Sequence, residues 1–499
     1  MHEKTPLGFR ILAAALVLGV LGDVLLREGP WGFNLFLWCA ALAAALMEFG
    51  SWRPAMLEGG GRWLLLAVVL SGGAYVWHDS PTLKLLNILA LLVALSLLIL
   101  RAQGGRLFHS GLVQYFLGSL IAGLNALVGP LVLAFGEIQW KGTLNDRLSR
   151  RALAVARGAL FSLLPLLVFG GLLVSADALY EQFIKDVLHL DFEKIVTHAF
   201  LTVFFAWIVA GYLRGALMGK ERDTLTTLRV PSLSLGIIET GIVLGSLNLL
   251  FFSFVVIQFR YFFGGAARVN VTKGLTYAEY ARQGFFELVT VATLVLPLLL
   301  LAHWLLKKEV PGSERIFRWL AGVQILLLFV IMASAFQRMR LYQQEYGLTE
   351  QRLYPTAFMG WLAVVFVWFA ATALRGQRQR FAFGAMVAGY ALIAALHFLN
   401  PDAFIARVNI ARAQEGRRFD ARYAGSLSAD AVPTLVGALP SLKREDRCRL
   451  ASRLIDRWSS AEASDWRTWN DARTRALEAV QRNGTQLRAM ACPSRSQED

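Results

Sequence analysis

Cysteine is scarce in this sequence. Only Cys39, Cys448 and Cys492 occur among 499 residues, and no two of them have the close spacing that zinc or iron-sulfur ligands usually show. This scarcity argues against a metal site built on cysteine. No other pattern in the sequence predicts a cofactor, so we expect none.

Short catalytic signatures are also absent. The sequence contains no His-Glu-x-x-His, no Gly-x-Ser-x-Gly and no phosphate-cradling Gly-x-x-x-x-Gly-Lys. These absences weigh against an enzyme. They leave the class undecided, because an active site can be assembled from residues dispersed along a chain.

Charged residues are few, at 17% of the sequence, whereas hydrophobic residues make up 56%. A core that folds in water does not need so much apolar surface, so lipid is the expected main solvent. The formal net charge of +15 would fit nucleic-acid binding only if it formed a soluble basic face. Many arginines and lysines lie instead in short loops between apolar runs. This pattern indicates positive-inside topology, contact with the lipid bilayer and no nucleic-acid partner.

Long apolar runs are abundant, and they predict an all-α fold, a polytopic bundle of about twelve transmembrane helices. A hydrocarbon core about 30 Å thick needs about twenty apolar residues per helix. No convincing cleavage site follows the first run, so we predict a retained helix rather than a signal peptide. The predicted helices lie near 9–26, 31–49, 62–78, 82–101, 112–136, 152–176, 196–216, 233–258, 284–306, 316–337, 355–374 and 381–399.

Basic loops orient these helices. Clusters of arginine and lysine follow the fifth, seventh, ninth and eleventh helices, which predicts that these loops are cytoplasmic. The same count places the C-terminal tail outside and Met1 outside as well, and the second result conflicts with the basic residues Lys4 and Arg10. The clusters contain Lys141, Arg147, Arg150 and Arg151, then Arg214, Lys220, Arg222 and Arg229, then Lys307, Lys308, Arg315 and Arg318, and finally Arg375, Arg378 and Arg380.

The predicted domains are a transmembrane helical domain of residues 1–399 and a small soluble helical domain of residues 400–499. Ser441 is placed to cap a helix that runs to about Trp458, and Ser464 or Asp465 is placed to cap another that ends at Gly484. We expect these helices to bury Leu450, Leu454, Ile455, Trp466, Trp469 and Leu477.

The two tail cysteines have two interpretations. If the tail lies outside, Cys448 and Cys492 share an oxidising compartment and are candidates for a disulfide. The alternative is a pair of unrelated thiols.

Two external segments share one pattern, in which a helix ends in Gln, Arg and Tyr and a Gly-Leu-Thr turn precedes the next helix. The eighth and tenth predicted helices end in this way, and the turns follow at 274–276 and 347–349. One interpretation is a pair of well-capped loops. The other is a paired external site in which Arg260, Arg338, Arg340 and the tyrosines bind an anionic or polar ligand.

Two glutamates lie within apolar runs, Glu239 in the eighth predicted helix and Glu287 in the ninth. Charge inside a membrane is costly, so such residues usually face a partner or a wet cavity. They are candidates for proton or ion coupling, and structural bonding between helices is the alternative. The two should not share one site, because Glu239 lies near the cytoplasmic end of its helix and Glu287 lies near the external start of the next. For His198, His303 and His397 we expect ordinary hydrogen-bonded packing.

Six segments lie in order along the second half of the chain, among them the helix end at 258–265 and the turn at 346–349. Together they resemble the DUF4173 family, a DUF4153-like group of bacterial polytopic membrane proteins. The resemblance implies a multi-pass protein of the bacterial cytoplasmic (inner) membrane. The activity of the group is not established, so no catalytic residue is implied. The segments are 258–265, 281–287, 346–349, 400–409, 427–433 and 465–470.

Three classes of function fit these observations, and a transporter or permease is the leading hypothesis. A transporter or permease would use the many helices and their internal charges as a substrate path. A membrane sensor, scaffold or envelope assembly factor would instead bind a small ligand or a protein partner through the external loops and the C-terminal tail. An enzyme that acts on lipid or envelope precursors is a third class.

Overall fold

A computed structural model describes residues 4–105, 112–138, 192–219, 235–263, 284–307, 312–459 and 465–492, with isolated positions between 158 and 182. The regular elements in these ranges are helices, together with one isolated bridge between Leu235 and Leu306. Helices dominate because apolar chain in lipid must satisfy its backbone hydrogen bonds within each segment. The all-α fold is confirmed.

Twelve helices precede the tail in the described ranges. They are α1 (Lys4–Leu26), α2 (Phe33–Phe49), α3 (Pro54–Leu57), α4 (Gly61–Trp77), α5 (Pro81–Ala102), α6 (Leu112–Val132), α7 (Phe192–Leu217), α8 (Ile237–Phe263), α9 (Phe285–Leu305), α10 (Ser313–Tyr346), α11 (Glu350–Thr372) and α12 (Phe381–Leu399).

These helices confirm the polytopic architecture. Within the described residues, nine helices are long and apolar enough to cross a membrane, and α2 and α4 are shorter apolar helices. The predicted run at 152–176 lies largely outside the described residues, so the total of about twelve stays a prediction. One boundary differs clearly, since α10 continues to Tyr346 instead of ending near residue 337.

The membrane helices form two bundles with separate cores. The first core is built by α1 to α7 and the second by α8 to α11 with the first residues of α12. α12 joins them, because Phe381 lies in the second core while Phe383 and Met386 pack against the first. Tyr390 in the same helix donates a hydrogen bond of 2.6 Å to the carbonyl of Ala90 in α5.

The tail forms a third core. Its helices are α13 (Pro401–Gln414), α14 (Ala421–Ala424), α15 (Val432–Ala438), α16 (Arg444–Trp458), α17 (Asp471–Arg482) and α18 (Gly484–Met490). Leu450 and Leu454 are buried in it as predicted, and Ile455 and Leu477 pack against it. Leu348, from the turn between α10 and α11, also belongs to this core. The tail therefore encloses a residue of the preceding membrane segment.

The prediction that Trp466 and Trp469 are buried was wrong. Their exposed fractions are 64% and 43%. Both rings instead contact the ring of Phe33 at the start of α2, with centroids 6.3 and 6.5 Å away. These residues attach the tail to the membrane bundle instead of filling its core.

Three helix ends in the tail also differ from the prediction. α16 begins at Arg444, so its N-cap is Lys443 and not Ser441. Asp465 caps only the short turn Trp466–Thr468. Asn470 caps α17, which ends at Arg482, because its side chain accepts the backbone N–H of Arg473.

The tail covers one end of both bundles, here called the tail face. His397 near the end of α12 contacts Asn87 near the start of α5, with Nε2 and Oδ1 3.1 Å apart. The two helices are therefore antiparallel, and α5 ends at the opposite face. Arg53 donates hydrogen bonds there to the carbonyls of Ala102 and Leu217, so α7 ends at that face as well.

The end of α1 corrects the predicted side of the N-terminus. Asp23 hydrogen-bonds to His198 near the start of α7, 2.6 Å apart, which places the end of α1 at the tail face. α1 therefore begins at the opposite face, and Lys4 and Arg10 do not share a side with the tail, as the helix count for Met1 had required. The count failed because α5 ends at the opposite face and α7 begins at the tail face. The two helices predicted between them would have returned the chain to the opposite face.

Reporter fusions test this arrangement. A periplasm-active reporter is expected to be active after Asp499, and a cytoplasm-active reporter is expected to be active ahead of Met1, because the basic loops lie at the face opposite the tail. A fusion in the loop after Arg375 is the matched control and should behave like the N-terminal fusion. Activity of the same reporter at both termini would contradict the assignment.

Candidate functional site

A buried hydrogen-bonded pair joins the tail to the first bundle. His78 follows α4 directly, and its Nδ1 lies 2.5 Å from Oδ1 of Asp430, with both side chains at most 2% exposed. The backbone N–H of Asp79 donates to the other carboxylate oxygen at 2.8 Å. Burial opposes ionisation of Asp430, yet the hydrogen bond and charge of His78, with help from Asp79, lower the pKa of Asp430 below its usual value.

Asn470 makes a second connection between the same segments. Its Nδ2 donates to the carbonyls of Tyr75 and His78 at 2.7 and 3.0 Å, while its Oδ1 caps α17. A buried amide that satisfies both its donor and acceptor groups fixes the angle of α17 against the end of α4. Arg473 adds an ion pair with Asp79, 3.4 Å apart.

The contacts of His78 and Asn470 with the tail and α4 are together called the junction below. A group of carboxyls lies beside it, where the tail meets α11. Asp402 is 1% exposed, and its Oδ2 accepts the backbone N–H of Ser428 at 3.3 Å. The carboxyl of Glu350, the first residue of α11, lies within hydrogen-bonding reach of Asp402 and of Thr82 in α5. Burial, with the negative charge of Asp430 as a smaller cause, raises the pKa of Asp402. The pKa values of Asp402 and Asp430 are therefore shifted in opposite directions at one junction.

An arginine-lined cleft of about 1490 Å³ opens between the turn after α10 and the tail; it is called the arginine cleft below. Its walls come from the end of α10, the start of α11, α13, the segment 416–420, α14, α16 and Cys492. Three carboxylates line it, Glu345, Asp420 and Asp446. They are outnumbered by its arginines, which are Arg352, Arg412, Arg417, Arg418, Arg422, Arg449 and Arg453.

The two half-buried arginines of the cleft are held mainly by neutral groups. Arg412 donates to the carbonyls of Gln344 and Glu345 at 2.7 and 2.9 Å. Arg352 donates to the carbonyl of Gly347 and lies over the ring of Tyr342, 4.1 Å from its centroid. Burial and the neighbouring charge of Arg417 lower the pKa of Arg412. Positive charge is therefore concentrated in the cleft.

The Gly-Leu-Thr turn at 347–349 forms one wall of this cleft. Asn409 in α13 accepts the N–H of Leu348 and donates to its carbonyl, each at 2.8 Å. Gly347 has φ of +80°, and a Cβ there would come within 2.6 Å of Asn409 and Arg412, so glycine is required. Thr349 occupies the N-cap position of α11 without a side-chain capping bond. The turn is thus built to hold the tail.

The predicted arginine site lies only partly within the residues that the structure describes. Arg338 donates to Oε1 of Gln258 at 3.0 Å, and Ser334 donates to the same oxygen at 3.1 Å, so the ends of α10 and α8 are joined. Arg340 is exposed. The side chain of Arg260 and the first Gly-Leu-Thr loop lie outside the described residues. A paired site built from Arg260, Arg338 and Arg340 stays a prediction.

Glu239 and Glu287 lie apart from each other and from the cleft. Each is exposed in the first turn of its helix, α8 and α9 respectively. The bridge between Leu235 and Leu306 places the start of α8 beside the end of α9, so the two glutamates lie at opposite ends of this pair. A coupling role for either one stays a prediction.

Cys448 and Cys492 are brought together by α16 and the end of the described tail. Their Cα atoms are 4.8 Å apart and their sulfur atoms are joined as a disulfide. The N–H of Cys492 also donates to Oγ of Ser452 at 3.0 Å. Whether the bond forms in the cell depends on the compartment, and the pairing stays a prediction. No group of three or more His, Cys, Asp or Glu among the described residues is arranged to hold a metal ion.

A family model with the description "Domain of unknown function (DUF4153)" matches residues 65–438. The chain belongs to this family. No curated protein and no solved structure matches it.

The DUF4153 match covers more of the chain than the resemblance did, because it begins within α4 and not only in the second half. It also crosses the predicted domain boundary and ends with α15. His78, Asp402, Asp430 and the cleft arginines from Arg352 to Arg422 lie inside it. Arg449, Arg453 and the segment 465–470 lie outside it.

Neither the junction nor the arginine cleft of this DUF4153 protein was predicted from sequence. His78 and Asp430 lie 352 residues apart, so no local pattern connects them. The cleft did leave a signal, because five arginines fall between 407 and 422 in a tail otherwise assigned only by its caps. A basic segment next to a Gly-Leu-Thr turn in space cannot be recognised without the fold.

Substitutions of the two junction aspartates should have opposite pH dependence. Because the pKa of Asp430 is lowered by folding, this residue stabilises the folded protein at pH values above its unfolded pKa near 3.9. That stabilisation is lost as the pH falls through the folded pKa. Because the pKa of Asp402 is raised by folding, this residue stabilises the folded protein at pH values below its unfolded pKa. That stabilisation is lost as the pH rises through the folded pKa. Asp430→Asn should therefore cost about 1–3 kcal/mol at neutral pH.

Asp402→Asn is the matched control, because an amide can still accept the N–H of Ser428. It should be tolerated and should remove the loss of stability that occurs as the pH rises through the folded pKa of Asp402. Thermal unfolding of the purified protein across a pH series measures both effects. An Asp402→Asn variant whose stability falls as steeply as that of the parent while the pH rises above about 3.9 would contradict the assignment.

Proposed function

We propose that this protein is a membrane-anchored binding protein, of the sensor, scaffold or assembly-factor class, that binds an anionic ligand at its tail face. The arginine cleft is the observation that carries the proposal. It is formed jointly by the tail and the turn after α10, which are the two parts that the partner-binding hypothesis requires. A cleft lined by one sign of charge concentrates ligands of the opposite sign.

The charges of the cleft support an anion over a neutral ligand. Seven arginines against three carboxylates leave an excess of four positive charges. One carboxylate, Asp420, is already engaged in capping α14 through the N–H of Tyr423. The ion pair of Arg417 with Glu345 spans 3.5 Å between exposed side chains, so it contributes little.

The basic residues of the loops between the membrane helices support a proposal for the side of the membrane on which the cleft lies. The described basic residues Arg214, Arg315 and Arg375 lie at the face opposite the tail, and by the positive-inside rule they support a cleft outside the cytoplasm of a bacterial inner membrane. The disulfide between Cys448 and Cys492 fits an oxidising compartment. We further propose that residues 400–499 are a soluble domain, whose core is completed by Leu348 of the preceding turn.

The permease hypothesis has weaker support. Many helices in two bundles suit a transporter, but Glu239 and Glu287, its coupling candidates, are exposed at opposite ends of α8 and α9. A coupled path needs ionisable groups that face one cavity. We therefore favour binding.

Charge reversal in the cleft tests the proposal. Arg417→Glu with Arg418→Glu should weaken binding of fluorescent dextran sulfate by the purified protein on the order of tenfold, because four units of charge are changed. Arg315→Glu with Arg318→Glu, at the opposite face, carries the same change and should bind like the parent. Fluorescence anisotropy at low and high salt measures both variants. Equal weakening in the two variants would refute a cleft-specific site.

Neutralisation of the two membrane glutamates distinguishes binding from transport. Glu239→Gln and Glu287→Gln should each leave dextran sulfate affinity within about twofold of the parent, because neither residue lines the cleft. Proton flux into proteoliposomes, followed with an internal pH dye, is the second measurement. Flux through the parent that either substitution abolishes would support a permease instead.

A further inference from the structure

The arginine cleft lies beyond the apolar part of α10, at the tail face. α10 has 34 residues and is therefore about 51 Å long at 1.5 Å per residue, which exceeds a hydrocarbon core of about 30 Å. Its apolar part ends near Phe336, so the excess length extends beyond the lipid at the tail face. This excess carries Tyr342 and Tyr346 to the cleft.

Exposed aromatic rings mark the same level. Trp77 and Phe398 end α4 and α12, contact each other with centroids 5.7 Å apart, and are 40% and 78% exposed. Trp466 and Trp469 of the tail are also exposed beside α2. Tryptophan is enriched where hydrocarbon meets headgroups, so these rings place the tail directly on the bilayer surface.

The floor of the cleft suits phosphate better than a single carboxylate. Arg412 and Arg352 are half-buried and already oriented by carbonyls and by the ring of Tyr342, so their planar forks lose little freedom on binding an anion. Arginine pairs with either a carboxylate or a phosphate through two parallel hydrogen bonds, but a phosphate has a third oxygen that can accept from the second arginine. The crowding of Arg412 by Arg417 and Arg352, which lowers the pKa of Arg412 together with burial, is relieved by a ligand with more than one negative charge.

The size and charge of the cleft point to a multiply charged ligand. Its volume of about 1490 Å³ is larger than that of typical small-molecule sites, which hold about 300–1,000 Å³. The excess of four positive charges matches more than one phosphate group, since a phosphomonoester carries roughly −1.5 to −2.

We propose that the arginine cleft binds a phosphorylated ligand with at least two negative charges, supplied by an anionic lipid headgroup or by a soluble phosphate compound. This inference rests on the anion-binding function proposed above and names the chemistry of that ligand. Arg412 and Arg352 hold the phosphate, while the exposed arginines at 417, 418 and 422 attract it.

Two soluble anions test the chemistry with the full-length protein in nanodiscs of phosphatidylcholine. Pyrophosphate should bind at least about tenfold more tightly than citrate, a carboxylate anion of similar charge, because each phosphate group offers three oxygens to the two arginine forks and each carboxylate offers only two. Arg412→Lys keeps the charge but removes the fork, so it should remove most of this preference while dextran sulfate still binds. Calorimetric titration measures the three anions.

A second arm identifies the source. Phosphatidic acid added to the nanodiscs should compete with pyrophosphate if a lipid headgroup fills the cleft, and should leave its affinity unchanged if the ligand is soluble. Either result is consistent with the proposal. Equal affinity for pyrophosphate and citrate, or a preference that Arg412→Lys leaves intact, would overturn it while dextran sulfate binding preserved the anion-binding function. Loss of dextran sulfate binding to the parent would reject both.

Discussion

The contact between His78 and Asp430 determines how the tail lies on the membrane bundles. Both side chains are almost fully buried, so each depends on the other for the hydrogen bond that water would otherwise supply. Asp79 and Asn470 add backbone hydrogen bonds around the pair, which fix the loop after α4 against α17. The second bundle is attached separately, through Leu348 and Asn409. The tail is therefore held at two points on two independent cores.

The arginine cleft depends on this double attachment because its walls belong to different parts of the chain. One wall is the turn after α10, and the other is α13, α14 and α16 of the tail. A continuous set of contacts connects the cleft to the junction. The hydroxyl of Tyr423, which lines the cleft, accepts the N–H of Glu350 at 2.9 Å, and the carboxyl of Glu350 approaches Asp402 and Thr82. A change at the cleft wall would thus reach both bundles through the first turn of α11.

The membrane helices could be predicted from sequence because their cause is local, since an apolar run of sufficient length is helical in lipid wherever it occurs. The turn at Gly347 was recognisable for the same reason. The side of Met1 could not be obtained, because one miscounted crossing between α5 and α7 inverts everything before it. Trp466 and Trp469 were assigned to a core because hydrophobicity does not distinguish a protein interior from a lipid interface. The pairing of His78 with Asp430 is set by the packing of distant segments, which no periodicity encodes.

The separation of 352 residues between His78 and Asp430 also has a consequence for biogenesis. A ribosome adds about 5–20 residues per second, so translation from the first residue to the second takes on the order of twenty to seventy seconds. Once α7 has been synthesised, all seven helices of the first bundle are available to the bilayer, while the loop after α4 still lacks the carboxylate of Asp430. Insertion of the early helices must therefore succeed without the tail. The contacts between the tail and the first bundle can form only after the last fifth of the chain has been synthesised.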